Sequence, residues 1–161
     1  MKEAISQKQN LIYESELLEQ VNKRDPTPTN LKFMTRTNKD ELIMQYLEGF
    51  ISLDNYLESN ADRCKEIMSK VKSLVHQLHE KGISHRDLKG INVMIHPETE
   101  QLRIIDFGVG CINSSLKFPC QKYRGTTLNY YPKPQEMNNF KDWKKGDQNA
   151  MKIIQKKLCK K

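Results

Sequence analysis

His85-Arg86-Asp87-Leu88-Lys89-Gly90-Ile91-Asn92, followed by Asp106-Phe107-Gly108, is the stretch on which the reading of this chain turns. Asp87 and Asp106 stand nineteen residues apart. Between them they frame a carboxylate able to accept a proton and, two residues on, a lysine able to offset anionic charge. They also frame an amide and a second carboxylate whose oxygens suit a hard divalent cation. Either motif alone carries little, because a bare Asp-Phe-Gly tripeptide recurs by accident. Their topological order adds weight. Val93-Met94-Ile95 and Leu102-Arg103-Ile104-Ile105 read as the two strands of a hairpin turned by His96-Pro97-Glu98-Thr99-Glu100. Asp106 then sits where the chain leaves the second strand.

On the N-terminal side, Ile67, Val71, Leu74, Val75 and Leu78 recur at helical spacing and predict a helix from about Asp62 to Lys81, with Gly82 as its C-terminal cap. Ser52 to Ser59 predicts a shorter helix. Leu31-Lys32-Phe33-Met34 and Glu41-Leu42-Ile43-Met44-Gln45-Tyr46 read as strands joined by the turn Thr37-Asn38-Lys39-Asp40. Leu11, Leu17, Leu18 and Val21 suggest one side of a helix over Gln9 to Val21, ended by Asp25-Pro26-Thr27-Pro28.

Carried by the two motifs and this order of elements, the chain resembles the middle of a eukaryotic-type protein kinase domain, over roughly Gln9 to Asp147. The resemblance implies an α+β, kinase-like two-lobe fold, cut short. Residues 1–47 would form part of the first lobe (helix C, two strands and the hinge), and residues 48–147 the core of the second lobe. Residues 148–161 would be a basic tail. It also implies transfer of the ATP γ-phosphate to a protein hydroxyl, with ATP and Mg2+ as cofactors. Asp87 would be the catalytic base and Lys89 the phosphate-facing cation. Asn92 and Asp106 would hold magnesium, and His85 would pack under Phe107 beside Gly108. Lys89 after Asp87-Leu88 resembles the serine/threonine branch.

For the nucleotide, the resemblance points to Met44 as gatekeeper and to Gln45 and Leu47 as hinge residues. Leu53 and Met94 would form the adenine floor, with Ser52 near the ribose. Leu53, Met44 and Met94 read equally as ordinary core. Glu14 aligns with the helix C glutamate, with Glu16 as its rival. Arg86 would pair with a phosphate on Thr126 or on a neighbour among Ser114, Ser115, Tyr123 and Thr127. Asp147 would brace the catalytic loop.

The pattern is broken at both edges. Thirteen residues precede Glu14 and include no glycine, so the family's Gly-rich loop and its strand-three lysine have no counterpart. Lys133-Pro134-Gln135-Glu136 puts Glu136 about two residues late, and Asn149 replaces an expected tryptophan. With no later helices, the apolar face of the Asp62–Lys81 helix is expected to lack partners. A kinase and a catalytically incomplete kinase-like module that binds proteins are both compatible with this.

Charge and cysteine usage bound the remainder. The net charge of +7 is concentrated in Lys141–Lys161, where eight lysines face only Asp142 and Asp147. That is a basic end without interleaved aromatics, which argues against nucleic acid and predicts a solvated or disordered tail. No apolar run reaches membrane-spanning length and no secretory leader is apparent. Cys64, Cys111, Cys120 and Cys159 lack metal-ligand spacing and read as free thiols in an intracellular, cytoplasmic setting. His76 and His79 read as surface helix residues. The expected partners are a protein substrate and, left open, a chain that completes the missing strands.

Overall fold

Apolar residues three and four apart build the central helix. In the computed structural model, which describes residues 12–21, 23, 33–34, 43–44, 46–113, 115–120 and 143–160, it runs Cys64–Glu80. A 3-10 turn, Ala61–Arg63, leads into it. Ile67, Met68, Val71, Val75 and Leu78 are all buried along one face. Each such side chain stabilises the fold by about 1.5–3 kcal/mol relative to exposure. Gly82 follows at φ +80°, and its amide donates to the His79 carbonyl at 2.9 Å. A side chain would be strained in this left-handed cap.

In chain order the elements are α1 (residues 12–21), β1 (Phe33–Met34), β2 (Ile43–Met44), β3 (Ile51–Ser52), α2 (Leu53–Ser59), α3 (Cys64–Glu80), β4 (Ile83–Ser84), β5 (Val93–Ile95), β6 (Leu102–Ile104), β7 (Cys111–Ile112) and α4 (Lys145–Leu158). This is the expected α+β content. Antiparallel pairing joins β1 to β2, with Phe33 opposite Met44. It also joins β3, β5 and β6 in that order, with Val93 opposite Ile104. β4 pairs with β7, with Ser84 opposite Cys111. Along β5 the pleat turns Val93 and Ile95 into the core while Met94 stays half-buried.

Ser52 caps α2: its hydroxyl accepts from the Asn55 amide at 3.2 Å. At the turn between β5 and β6, Glu100 ties the hairpin to the helices. It accepts from Arg63 at 2.6 and 3.0 Å and from the Tyr56 hydroxyl at 2.8 Å. The Arg63 hydrogen bonds, then the Tyr56 one, lower the Glu100 carboxyl pKa to about 2.

Two expectations are corrected here. The tail is not disordered: Lys145–Leu158 is a helix packed on α3 and α2. Ala150, Met151 and Ile154 are buried on one side while Lys152, Lys156 and Lys157 face solvent. The lysines masked an amphipathic period, and those in the last turn complement the helix dipole. This helix crosses the boundary drawn at 147/148 and supplies part of the cover that α3 was expected to lack.

The cysteines are not free thiols either. Cys64 is bonded to Cys159, joining α3 to the end of α4 with their Cα atoms 5.5 Å apart, and Cys111 is bonded to Cys120 with Cα atoms 5.0 Å apart. Metal-ligand spacing was the wrong test, because pairing across 95 residues depends on which helices pack. The reducing-compartment argument loses this support. Among the described residues no helix is long and apolar enough to cross a membrane.

Candidate active site

Asp147, at the start of α4, organises the loop that begins at Ser84. It is fully buried. Its Oδ2 accepts from the His79 Nε2 (2.9 Å), the Ser84 hydroxyl (2.8 Å) and the His85 amide (2.9 Å), and its Oδ1 accepts from the Arg86 amide (2.9 Å). A buried carboxylate is tolerated because its lone pairs are so used. Arg86 stands at φ +67°, a left-handed conformation costing about 1–3 kcal/mol for a residue other than glycine. The Asp147 bond to its amide helps hold it there. His79 and Ser84 were missed as partners of Asp147. His79 is a buried ligand of this carboxylate and not a surface residue, whereas His76 is exposed beside Glu80.

Beyond Arg86 the loop is closed by its own polar groups. The His85 ring packs edge-on against Phe107, with centroids 4.7 Å apart. Its Nδ1 accepts from the Asp87 amide at 3.1 Å, so Nε2 carries the hydrogen donated to the Ile105 carbonyl at 2.7 Å. Asn92 is buried. Its Nδ2 donates to the Asp87 carbonyl at 2.9 Å, and its own carbonyl accepts from the Ile105 amide at 2.9 Å. Asp87 and the segment ending at Asp106 are therefore joined through His85 and Asn92. Lys89 Nζ lies 3.8 Å from Asp87 Oδ2. Gly90 lets the loop approach α2 closely: a Cβ there would fall 1.6 Å from Asp54 Oδ1.

Asp106 is exposed at φ +63°, a left-handed conformation that aspartate tolerates better than most residues. Glu14, on α1, borders it: the position a Cβ would take on Gly108 is 3.5 Å from both Asp106 Oδ1 and Glu14 Oε2. Burial first, then the Asp106 charge, pushes the Glu14 carboxyl up to about 7, although the Phe107 amide donates to it. Among the described residues no cation pairs with Glu14. Its rival Glu16 points elsewhere and pairs with Lys117 at 3.0 Å.

The donor set suits a hard cation. The Asn92 amide nitrogen is committed to Asp87, which leaves its oxygen, and Asp106 offers a carboxylate. The nucleotide side is less developed. Leu53 is fully buried in the core. The Ser52 hydroxyl is used as a helix cap, and the Leu47 carbonyl accepts from the Phe50 amide at 3.2 Å. Half-buried Met94 remains available. Met44 lies in β2, but its side chain is outside the described residues, as are Gln45, Ser114, Tyr123, Thr126, Thr127 and Glu136. Arg86 is buried and donates to the carbonyls of Val109 (2.7 Å), Gly110 (3.4 Å) and Cys120 (3.5 Å).

Comparison with known proteins bears on the family and the fold. A probable serine/threonine-protein kinase of Dictyostelium discoideum, fnkB, is 27% identical over 112 residues, covering 68% of this chain and 21% of that protein. A second from the same organism, mkcD, is 38% identical over 98 residues, covering 56% of this chain and 14% of its own. The chain thus spans about a fifth or less of these relatives' length. The solved structure of the Cydia pomonella granulovirus kinase PK-1 superimposes with a TM-score of 0.65 at 19% identity, covering 90% of this chain and 53% of that one, a likeness of fold. Residues 1–134 match the protein kinase domain family. The chain belongs to the protein kinase family.

Proposed function

We propose that this chain carries the catalytic-loop portion of a serine/threonine-type protein kinase that transfers the ATP γ-phosphate to a hydroxyl of a protein substrate. The observation that supports this most is the hydrogen-bonded unit formed by Asp147, His85, Asp87, Asn92 and Ile105. It holds a carboxylate, a lysine and two hard oxygen donors on one preorganised loop pair, as phosphoryl transfer requires. Asp87 would orient the attacking hydroxyl and take up its proton as the new O–P bond forms and the bond from the γ-phosphorus to the bridging oxygen breaks, ADP being the leaving group. Lys89 offsets charge on the transferred group. Asn92 and Asp106 are the residues that would hold Mg2+, which when bound neutralises phosphate charge.

A second reading, a kinase-like module that binds proteins without turnover, is favoured by one observation. Glu14, which in an active site of this type pairs with a lysine, instead faces Asp106 with no cation among the described residues. Mg-ATP-dependent labelling of a generic protein substrate separates the readings. The kinase reading expects labelling by this chain and at least about a hundredfold less by Asp87→Asn. Equal labelling by both removes Asp87 from the chemistry. No labelling by either supports the binding module.

A further inference from the structure

The segment after Asp106-Phe107-Gly108 is held in two independent ways. α1 is seated on it: the Tyr13 hydroxyl donates to the Gly110 carbonyl at 2.6 Å, and its ring meets Phe118 edge-on at 5.3 Å. Glu16 pairs with Lys117. Leu17 closes over Gly110, where an added Cβ would lie 2.9 Å from Leu17 Cδ2. The same segment is also closed covalently into a ring by Cys111–Cys120. Inside the ring the Ile112 amide donates to the Phe118 carbonyl at 2.7 Å, and the Ser115 hydroxyl accepts from the Phe118 amide at 3.0 Å. Arg86 spans the approach to the ring and its far end, donating to Val109, Gly110 and Cys120. Phe118 and Lys117, on which α1 rests, are thus positioned by a disulfide.

We propose that Cys111–Cys120 is a thiol–disulfide exchange site whose redox state sets the docking of α1 on this segment, and with it the place of Glu14 beside Asp106. The reductant is a dithiol. One of its thiolates attacks the sulfur of Cys120, the S–S bond breaks, and Cys111 leaves as a thiolate that takes up a proton. The dithiol's second thiolate then displaces Cys120, which is protonated in turn. Two electrons and two protons have passed to the protein, and the reductant leaves as its own disulfide. Both sulfurs are buried, so exchange proceeds through local opening of the ring, whose tip, Leu116, is fully exposed. Opening frees Phe118 and Lys117 and removes that half of the seat of α1, leaving only its contacts to Gly110. The inference concerns the geometry of the segment and holds whether or not the chain transfers phosphate.

Hydrogen exchange on the full chain tests it, comparing the air-oxidised protein with Cys111→Ser/Cys120→Ser as a permanently open form. Exchange over residues 12–21 and 109–120 is expected to rise about tenfold or more in the open form, with residues 64–80 unchanged. Dithiothreitol should reproduce the rise over 12–21 in the parent chain and add nothing there in the variant, where only Cys64–Cys159 remains to be reduced. Equal exchange over 12–21 in oxidised and open forms overturns the proposal. So does a rise that spreads equally to 64–80, which would make the disulfide a staple of the whole fold. Alkylation of Cys111 and Cys120 as free thiols in the air-oxidised chain overturns it as well.

Discussion

Two carboxylates of this molecule live under opposite regimes. Asp147 is fully buried yet accepts four hydrogen bonds, and the catalytic loop is built around it. Glu14 is partly buried, faces another carboxylate, and has its pKa raised to about 7. The first is a solved electrostatic problem and gives rigidity. The second has the Phe107 amide as a donor but, among the described residues, no cation beside it. Burial alone therefore does not say whether an acidic group braces a fold or awaits a ligand; the inventory of donors around it does.

The contrast can be tested by perturbation. Asp147→Ala strips four donors of their acceptor and should cost about 3–5 kcal/mol in urea unfolding; a loss below about 1 kcal/mol would show that the loop does not depend on it. Removing the other support of α4 should cost somewhat less. The Cys64→Ser/Cys159→Ser chain is expected to lose roughly 3–4 kcal/mol, because the bond closes a loop of 95 residues in the unfolded state. An unchanged midpoint under oxidising conditions would mean that α4 docks unaided.

Gly90→Ala should cost about 1–2 kcal/mol by driving Asp54 from its place. Asp54→Ala in the same chain should recover most of that loss, and additivity of the two changes would locate the strain elsewhere.

The effects of pH carry opposite signs at Glu100 and Glu14. The Glu100 pKa is lowered to about 2, so its contribution is complete above pH 4.5 and disappears as pH falls through 2; Glu100→Gln should flatten that limb. The Glu14 pKa is raised to about 7. The native state therefore keeps its proton between pH 4.5 and 7, and stability falls as pH rises through that window. In buffer containing a chelator, Glu14→Gln should match the parent chain near pH 4 and exceed it in stability above pH 7. A variant less stable than the parent at pH 8 would mean that Glu14 has a cationic partner after all.

Much of the site was legible because its chemistry is packed into short covalent spans. His85 to Asn92 and Asp106 to Gly108 announce their residue types directly, and the hairpin between them follows from alternation and turn residues. The period of α3 likewise lies within one window. What stayed hidden were pairings of residues far apart in the chain. His79 looked like a surface residue because its partner Asp147 is 68 positions away. Glu14 and Glu16 differ only in which side of α1 meets Gly108 and which meets Lys117. Leu53 is held in the core and the Ser52 hydroxyl caps a helix, contacts that depend on packing and local geometry. The lysines of α4 outweighed, in composition, the three apolar residues that dock it.

Residue order alone carried the family and the order of the main elements, since these depend on local pattern and covalent spacing. The fold settled which donors Asp147 collects, which cysteines pair, and which glutamate stands beside Asp106. Those choices depend on how faces pack across as many as 97 residues, where the free energy resides in the assembled contact and in no single segment of the chain.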